Sequence, residues 1–180
     1  MCNFLSALVF KNGDIFTDPE HTDSHSELIM DRELEDCDKD AHIRRWIRVE
    51  FSPPSLAEMI DPALYTLKID ESSQPGWFDA DMEATVIKDL RARVKRMIVT
   101  KNKTILLGGC WIVGGNIEIS RVMNARVVLA CQKAKLNQVA GSSRITNVRG
   151  SAQVTNVGPN VTLTNIAQTV KIENDNRKKN

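Results

Sequence analysis

The sequence predicts an α+β head (β-β-α-β-β-α) followed by a short repetitive β-solenoid with nine-residue units. Three observations lead there. Residues 135–174 read KLNQVAGSS, RITNVRGSA, QVTNVGPNV, TLTNIAQTV and KIEN, one pattern written four times and begun a fifth. Aliphatic residues recur at Leu136, Ile145, Val154, Leu163 and Ile172, and again three positions later at Val139, Val148, Val157 and Ile166. The first hundred residues show no such period and instead mix strand alternation with two helical patterns.

The head begins with Asn3–Phe10, a strand, and Asn12-Gly13, a turn signal that sends Asp14–Thr17 back as its partner. Ser24-His25-Ser26-Glu27 has the spacing of a capping box and starts a short helix at Ser24. The acidic stretch Asp31–Asp40 reads as a solvated loop. Trp46–Phe51 alternates apolar and polar residues until Pro53-Pro54 stops it, and Leu64–Ile69 adds a further strand. Asp79 caps a helix in which Met82, Val86, Leu90, Val94 and Met97 share a face. Acidic residues lie in its first turn and basic ones in its last, as the helix dipole favours.

Residues 1–100 form the head domain, 101–134 irregular β coils that join head to array, 135–174 the repeats and 175–180 a mobile basic tail. Nine residues are too few to close a coil, so two units make an eighteen-residue coil with two strands and two turns. The recurrent Asn147, Asn156, Asn165 and Asn174 suit corners, because Asn tolerates left-handed backbone, and stacked coils would align their amides into a ladder. An antiparallel meander of four hairpins is the competing geometry.

The net charge of +1 hides an asymmetry. Residues 1–100 hold 12 Lys and Arg against 20 Asp and Glu, and residues 101–180 hold 12 against 3. The four cysteines have no CxxC spacing, and no hydrophobic signal segment opens the chain, which reads as a reduced, cytoplasmic protein. The longest apolar run, Ile105–Val113, is broken by Gly108-Gly109 and is too short to span a membrane.

The chain resembles a family of uncharacterised bacteriophage proteins. The shared marks are MCNFLSALVFKNGDIF, TDSHSELI, WIRVEFSPP, YTLKIDE, PGWFD, LLGGCWIV and NARVV, ahead of a run of short repeats. In that family the repeats tend to read GSS-x-V-x-x-M, and here only Gly141-Ser142-Ser143 keeps the form. The resemblance implies a phage origin, a place in the host cytoplasm and the two-part layout, and it supplies no activity.

Function is therefore sought in side chains. Cys2 would become an N-terminal nucleophile on removal of Met1, its own amine serving as base, and Asp23 and His25 at the start of the helix offer a second general base, so that Cys2 and His25 together would make the head a hydrolase or transferase. Against this, Cys2 suits a strand core, and Ser24 and Asp23 are explained by helix capping. His21, His25, Cys37 and His42 have ligand types that suit Zn²⁺, in a spacing that matches no common knuckle, so no cofactor is the expectation and zinc the alternative. The basic half raises nucleic-acid binding, with Arg144 and Arg149 on phosphates and Asn147, Asn156 and Asn165 as polar partners. Trp111 is the one aromatic beyond residue 100, which leaves no base-stacking platform, and an acidic DNA-mimicking face is absent from the positive array. The first column, Lys135, Arg144, Gln153, Thr162 and Lys171, divides its charges between two sheets. The expectation is an accessory protein that works by binding a host protein or small ligand or by homo-oligomerising, the acidic head of one copy near the basic array of another, in interference with a host process such as defence.

Overall fold

The structure, a computed structural model, describes residues 4–18, 22–34 and 44–177. The chain divides into two compact units, Met1–Val94 and Lys95–Asn180, with the boundary inside the last turn of a long helix.

In the first unit an antiparallel sheet of order β2-β1-β3-β4 comprises β1 (Leu5–Phe10), β2 (Ile15–Phe16), β3 (Trp46–Ser52) and β4 (Thr66–Ile69). Asn12-Gly13 sits within a longer loop than a two-residue turn. Phe10 N–H reaches the Asp14 carbonyl at 2.9 Å, and Gly13 takes a φ of 90° that suits its lack of a Cβ. Two 3₁₀ turns, Leu56–Glu58 and Pro62–Leu64, fill the connection from β3 to β4.

Side chains alternate across this sheet. Leu5, Ala7 and Val9 lie opposite Phe51, Val49 and Ile47, and all six are buried. The other face holds Leu8, on which helix α1 (His25–Asp31) sets Leu28 and Ile29. Ser24 caps α1 as its spacing predicts, its hydroxyl accepting from Glu27 N–H at 3.3 Å. Helix α2 (Ala80–Met97) starts at the Asp79 cap, whose carboxylate accepts from Met82 N–H at 2.9 Å. It buries Val86, Leu90 and Val94 completely, while Met82 and Met97 are only half-buried.

The second unit is a β-solenoid of about four turns over residues 98–172. Every strand pair is parallel, which excludes the meander. One sheet runs β14-β12-β10-β8-β6 and the other β13-β11-β9-β7-β5. In chain order the strands are β5 (Ile98–Val99), β6 (Lys103–Leu107), β7 (Cys110–Val113), β8 (Glu118–Met123), β9 (Arg126–Ala130), β10 (Lys135–Ala140), β11 (Arg144–Val148), β12 (Gln153–Val157), β13 (Thr162–Leu163) and β14 (Lys171–Ile172). Successive strands alternate between the sheets, so two nine-residue units make one coil.

Residues 101–134 are more regular than their sequence suggests, since they pair as full strands in the same two sheets. What varies is coil length. Ile98 lies against Ile112, fourteen residues on. Lys103 lies against Ile119, sixteen on, and Ile119 against Leu136, seventeen on. From Val127 against Ile145 onward the step is eighteen. A register shift at Trp111/Ile112 takes up one of the added residues. The repeat is legible only where the step has become constant.

The interior holds the two expected aliphatic columns and a third of small residues at the corners. Ala125, Ala134, Ser143, Ala152 and Val161 occupy it, each under a tenth exposed. Ser143 meets its polarity locally, donating to the Ala140 carbonyl at 2.6 Å. At the corner after β11, Gly150 has a φ of 65°, and a Cβ there would stand 3.2 Å from Gln132 N.

Leu136 is fully buried between register partners Ile119 and Val154. Leu136→Ala is expected to cost about 2–5 kcal/mol, read from the shift in urea midpoint at an unchanged slope. A cost below about 1 kcal/mol would show that the coils do not stack on this column.

Candidate functional site

The recurrent asparagines form the ladder expected of stacked coils, but not at uniform corners. In one sheet Asn165 Nδ2 donates to Asn147 Oδ1 at 3.3 Å, and Asn147 Nδ2 to the Val128 carbonyl at 3.0 Å. In the other, Asn174 Nδ2 donates to Asn156 Oδ1 at 3.0 Å, and Asn156 Nδ2 to the Asn137 carbonyl at 3.1 Å. Asn147 and Asn156 lie within strands, whereas Asn165 and Asn174 adopt the left-handed conformation, with φ of 51° and 48°. Asn147 is buried, so its amide serves the stack, while Asn156 and Asn165 are exposed.

Arg144 and Arg149 are exposed. Arg144 lies between Arg126 and Thr162 in one sheet, and Lys135 lies between Glu118 and Gln153 in the other. The first column is thus divided between two surfaces, as its spacing implies. Trp111 is tied down, with Nε1 donating to the Gly108 carbonyl at 2.6 Å and the Lys103 ammonium 5.1 Å from the ring centre. In the tail, Arg177 is clamped by Asp175, one of whose oxygens its Nη2 meets at 2.6 Å. That hydrogen bond raises the guanidinium pKa further above its ordinary value.

Of the residues proposed for catalysis or zinc, Cys2, His21, Cys37 and His42 lie outside the described residues. Asp23 is exposed on the turn before α1. His25 is 5% exposed, carried inward by the first turn of α1. Its Nε2 lies 3.0 Å from the Val49 carbonyl, and its Nδ1 3.2 Å from Asp70 Oδ2, just beyond β4. Glu50, on β3, completes a cluster in which one ligand atom from each of His25, Glu50 and Asp70 lies within 4.8 Å of the others. Sequence reasoning missed both carboxylates. The alternation of Trp46–Phe51 places Glu50 on the face opposite Val49 and Phe51, but nothing in the order of residues shows that α1 covers that face.

A second buried carboxylate has a complete set of partners. Glu71, its side chain 2% exposed, accepts from Arg44 Nη1 at 2.5 Å, and from Arg48 through the backbone N–H at 3.0 Å and Nε at 3.1 Å. Trp77 Nε1 then donates to the Arg44 carbonyl at 2.8 Å, fastening the chain after β4 to the start of β3. An open cleft of about 550 Å³ is walled by Phe10, Phe16, Arg32, Asp89 and Arg93. Arg93 is spent within it on Asp89, Thr17 and the Ile15 carbonyl, and Arg32 lies 3.8 Å over the Phe16 ring.

Compared with family models, curated proteins and solved structures, the chain matches none. Among the described residues, no helix is long and apolar enough to cross a membrane.

Two outcomes follow from these contacts. Glu71→Ala is expected to lower unfolding free energy by about 3–5 kcal/mol in urea titrations, because it removes the buried carboxylate that Arg44 and Arg48 share. Cys110 and Cys131 are buried, and burial pushes the Cys131 thiol above its usual range. Burial shields both thiols, and the raised pKa leaves Cys131 less thiolate at neutral pH, so both residues are expected to stay silent to a thiol reagent until the chain is unfolded, as read by mass spectrometry of the labelled peptides.

Proposed function

We propose that the protein is a bacteriophage accessory protein that acts in the host cytoplasm by binding, through its β-solenoid, a further copy of itself or a host macromolecule. The observation that supports this reading is the state of the last coil. Val148, Ala152 and Val154 are covered by the coil that follows them and are at most 1% exposed. Their counterparts one coil on, Ile166, Val170 and Ile172, are only partly buried against the core. β13 and β14 stand at the ends of their sheets, and among the described residues no strand pairs with their outer edges.

A coil with half-covered aliphatics and unpaired edges is a template for further strands, which folded proteins generally cover or disrupt. A second copy offers a matching surface, and a self-complementary contact closes as a dimer. The asparagine ladder supports the same reading, because Asn165 and Asn174 donate back into the stack and their side-chain oxygens are the outermost acceptors of its two rows. Interference with a host process, such as a defence enzyme, follows from the phage resemblance and is part of the proposal.

A second reading is a salt-sensitive contact with nucleic-acid phosphates. It is favoured by the register pairing of Arg126 with Arg144, which sets two guanidinium-bearing residues side by side. It comes second because the basic column is split between two sheets.

Size-exclusion chromatography with light scattering tests the first reading. The wild type is expected to form a dimer or larger assembly at micromolar concentration. Val170→Lys with Ile172→Lys is expected to yield a monomer of unchanged circular dichroism, while Arg149→Glu assembles as the wild type does. A wild type that is monomeric at high concentration and retains no host protein would refute the proposal; loss of nucleic-acid retention by Arg144→Glu, with assembly intact, would favour the second reading.

A further inference from the structure

We propose that His25, Glu50 and Asp70 form a binding site for one divalent transition-metal cation, of the class of Zn²⁺ or Mn²⁺. The argument starts from Glu50. It is 5% exposed, and none of the hydrogen bonds or ion pairs found among the described residues falls on its carboxylate. An ionised carboxylate in that position is strongly unfavourable unless a positive charge reaches it. Glu71, buried in the same unit, shows how the chain neutralises such a group with its own side chains, through Arg44 and Arg48. No arginine or lysine does this for Glu50 among the described residues. Lys68, its register partner on β4, forms no ion pair with it.

His25 supplies the second line. Its Nε2 stands at hydrogen-bond distance from the Val49 carbonyl, an acceptor that fixes the proton on that nitrogen. In the neutral ring Nδ1 then presents a lone pair, yet it lies 3.2 Å from an Asp70 carboxylate oxygen, which also carries lone pairs. Two such atoms repel unless positive charge lies between them. A proton on Nδ1 would bond Asp70 and set one positive charge against two carboxylates. A divalent cation answers for both carboxylates and leaves the site neutral. A histidine whose second nitrogen donates to a backbone carbonyl is also the usual arrangement of a metal ligand, because that bond fixes the tautomer and aims the ring.

The surroundings match this chemistry. Ser6 lies directly opposite Glu50 across β1 and β3, and Ser6 N–H donates to the Thr22 carbonyl at 2.7 Å. The hydroxyls of Ser6 and Thr22 are both buried, and among the described residues neither has a hydrogen-bond partner. Water molecules on a bound cation would satisfy them. Asp70 is the open side of the cluster, its side chain 44% exposed, which gives an ion a path in and lets the carboxylate rotate onto it. One imidazole and two carboxylates with positions left for water suit Zn²⁺ or Mn²⁺ better than thiolate-seeking ions.

The test uses the full chain, stripped with a chelator and titrated with ZnCl₂ and separately with MnCl₂ by isothermal calorimetry, with elemental analysis of the saturated protein. The wild type is expected to bind one equivalent of at least one ion and to rise in melting temperature with it. Asp70→Asn, a change at a half-exposed side chain that leaves the fold intact, is expected to weaken binding about tenfold or more. Glu50→Gln separates a ligand role from a structural one. It removes a buried, unpartnered charge, so the metal-free variant should melt no lower than metal-free wild type, while the response to metal is lost. Absence of saturable uptake by wild type, affinity within twofold of wild type in Asp70→Asn, or a metal-free Glu50→Gln that melts well below wild type would each overturn the assignment.

Discussion

The second unit depends on one constraint, that each coil must bring the chain back over the position where it began. Parallel strands hydrogen-bond evenly only when the number of residues per coil is fixed, and a slip of one residue would turn every inward side chain outward. From Val127 onward the chain meets this with a step of eighteen, so Ile145 stacks on Val127 and Leu163 on Ile145. Once the step is constant, like falls on like. Small residues gather at the inner corners, asparagines above asparagines, and glycine where the backbone must enter the left-handed region against the coil beneath. Before the step settles, coils of fourteen to seventeen residues reach the same two sheets with no repeat visible in the sequence.

In the first unit the organising question is how a thin sheet accommodates buried charge. Glu71 and Glu50 pose it twice with different answers. Glu71 receives two arginines and a backbone N–H, an arrangement that welds the start of β3 to the chain beyond β4. Glu50 receives none of these from the described residues and stands in one cluster with His25 and Asp70, opposite Ser6, whose buried hydroxyl has no partner among the described residues. The proposed cation would supply the positive charge that the chain gives Glu71 through its arginines. The proposed cation and the proposed assembly of the solenoid are independent, since each rests on residues of a different unit.

The residues of the repeat, taken in order, showed the period of nine and the two aliphatic columns, and favoured, against an antiparallel meander, its doubling into an eighteen-residue coil and the amide ladder. All four follow from local side-chain periodicity, which survives in the sequence because it repeats. The helix starts at Ser24 and Asp79 were legible for a similar reason, as a cap acts within three residues of itself. The third interior column was not, because Ala and Ser at a corner look the same in sequence as Ala and Ser on a surface loop. The left-handed asparagines were legible only as a type: Asn165 and Asn174 adopt that conformation, and Asn147 and Asn156, at the same place in the repeat, do not.

Sequence alone therefore determined that this protein is a two-part chain with a nine-residue β repeat, since period and charge asymmetry are properties of order along the chain, and the parallel pairing decided for the coil of two units per turn. Tertiary structure decided which polar residues matter together. His25 is separated from Glu50 and Asp70 by 25 and 45 positions, and only the antiparallel pairing of β3 with β1 and β4, under α1, brings the three to one place. Spacing of ligand types pointed instead to His21, Cys37 and His42, because a motif search sees distance along the chain. The energy of a buried carboxylate depends on what stands across from it in space.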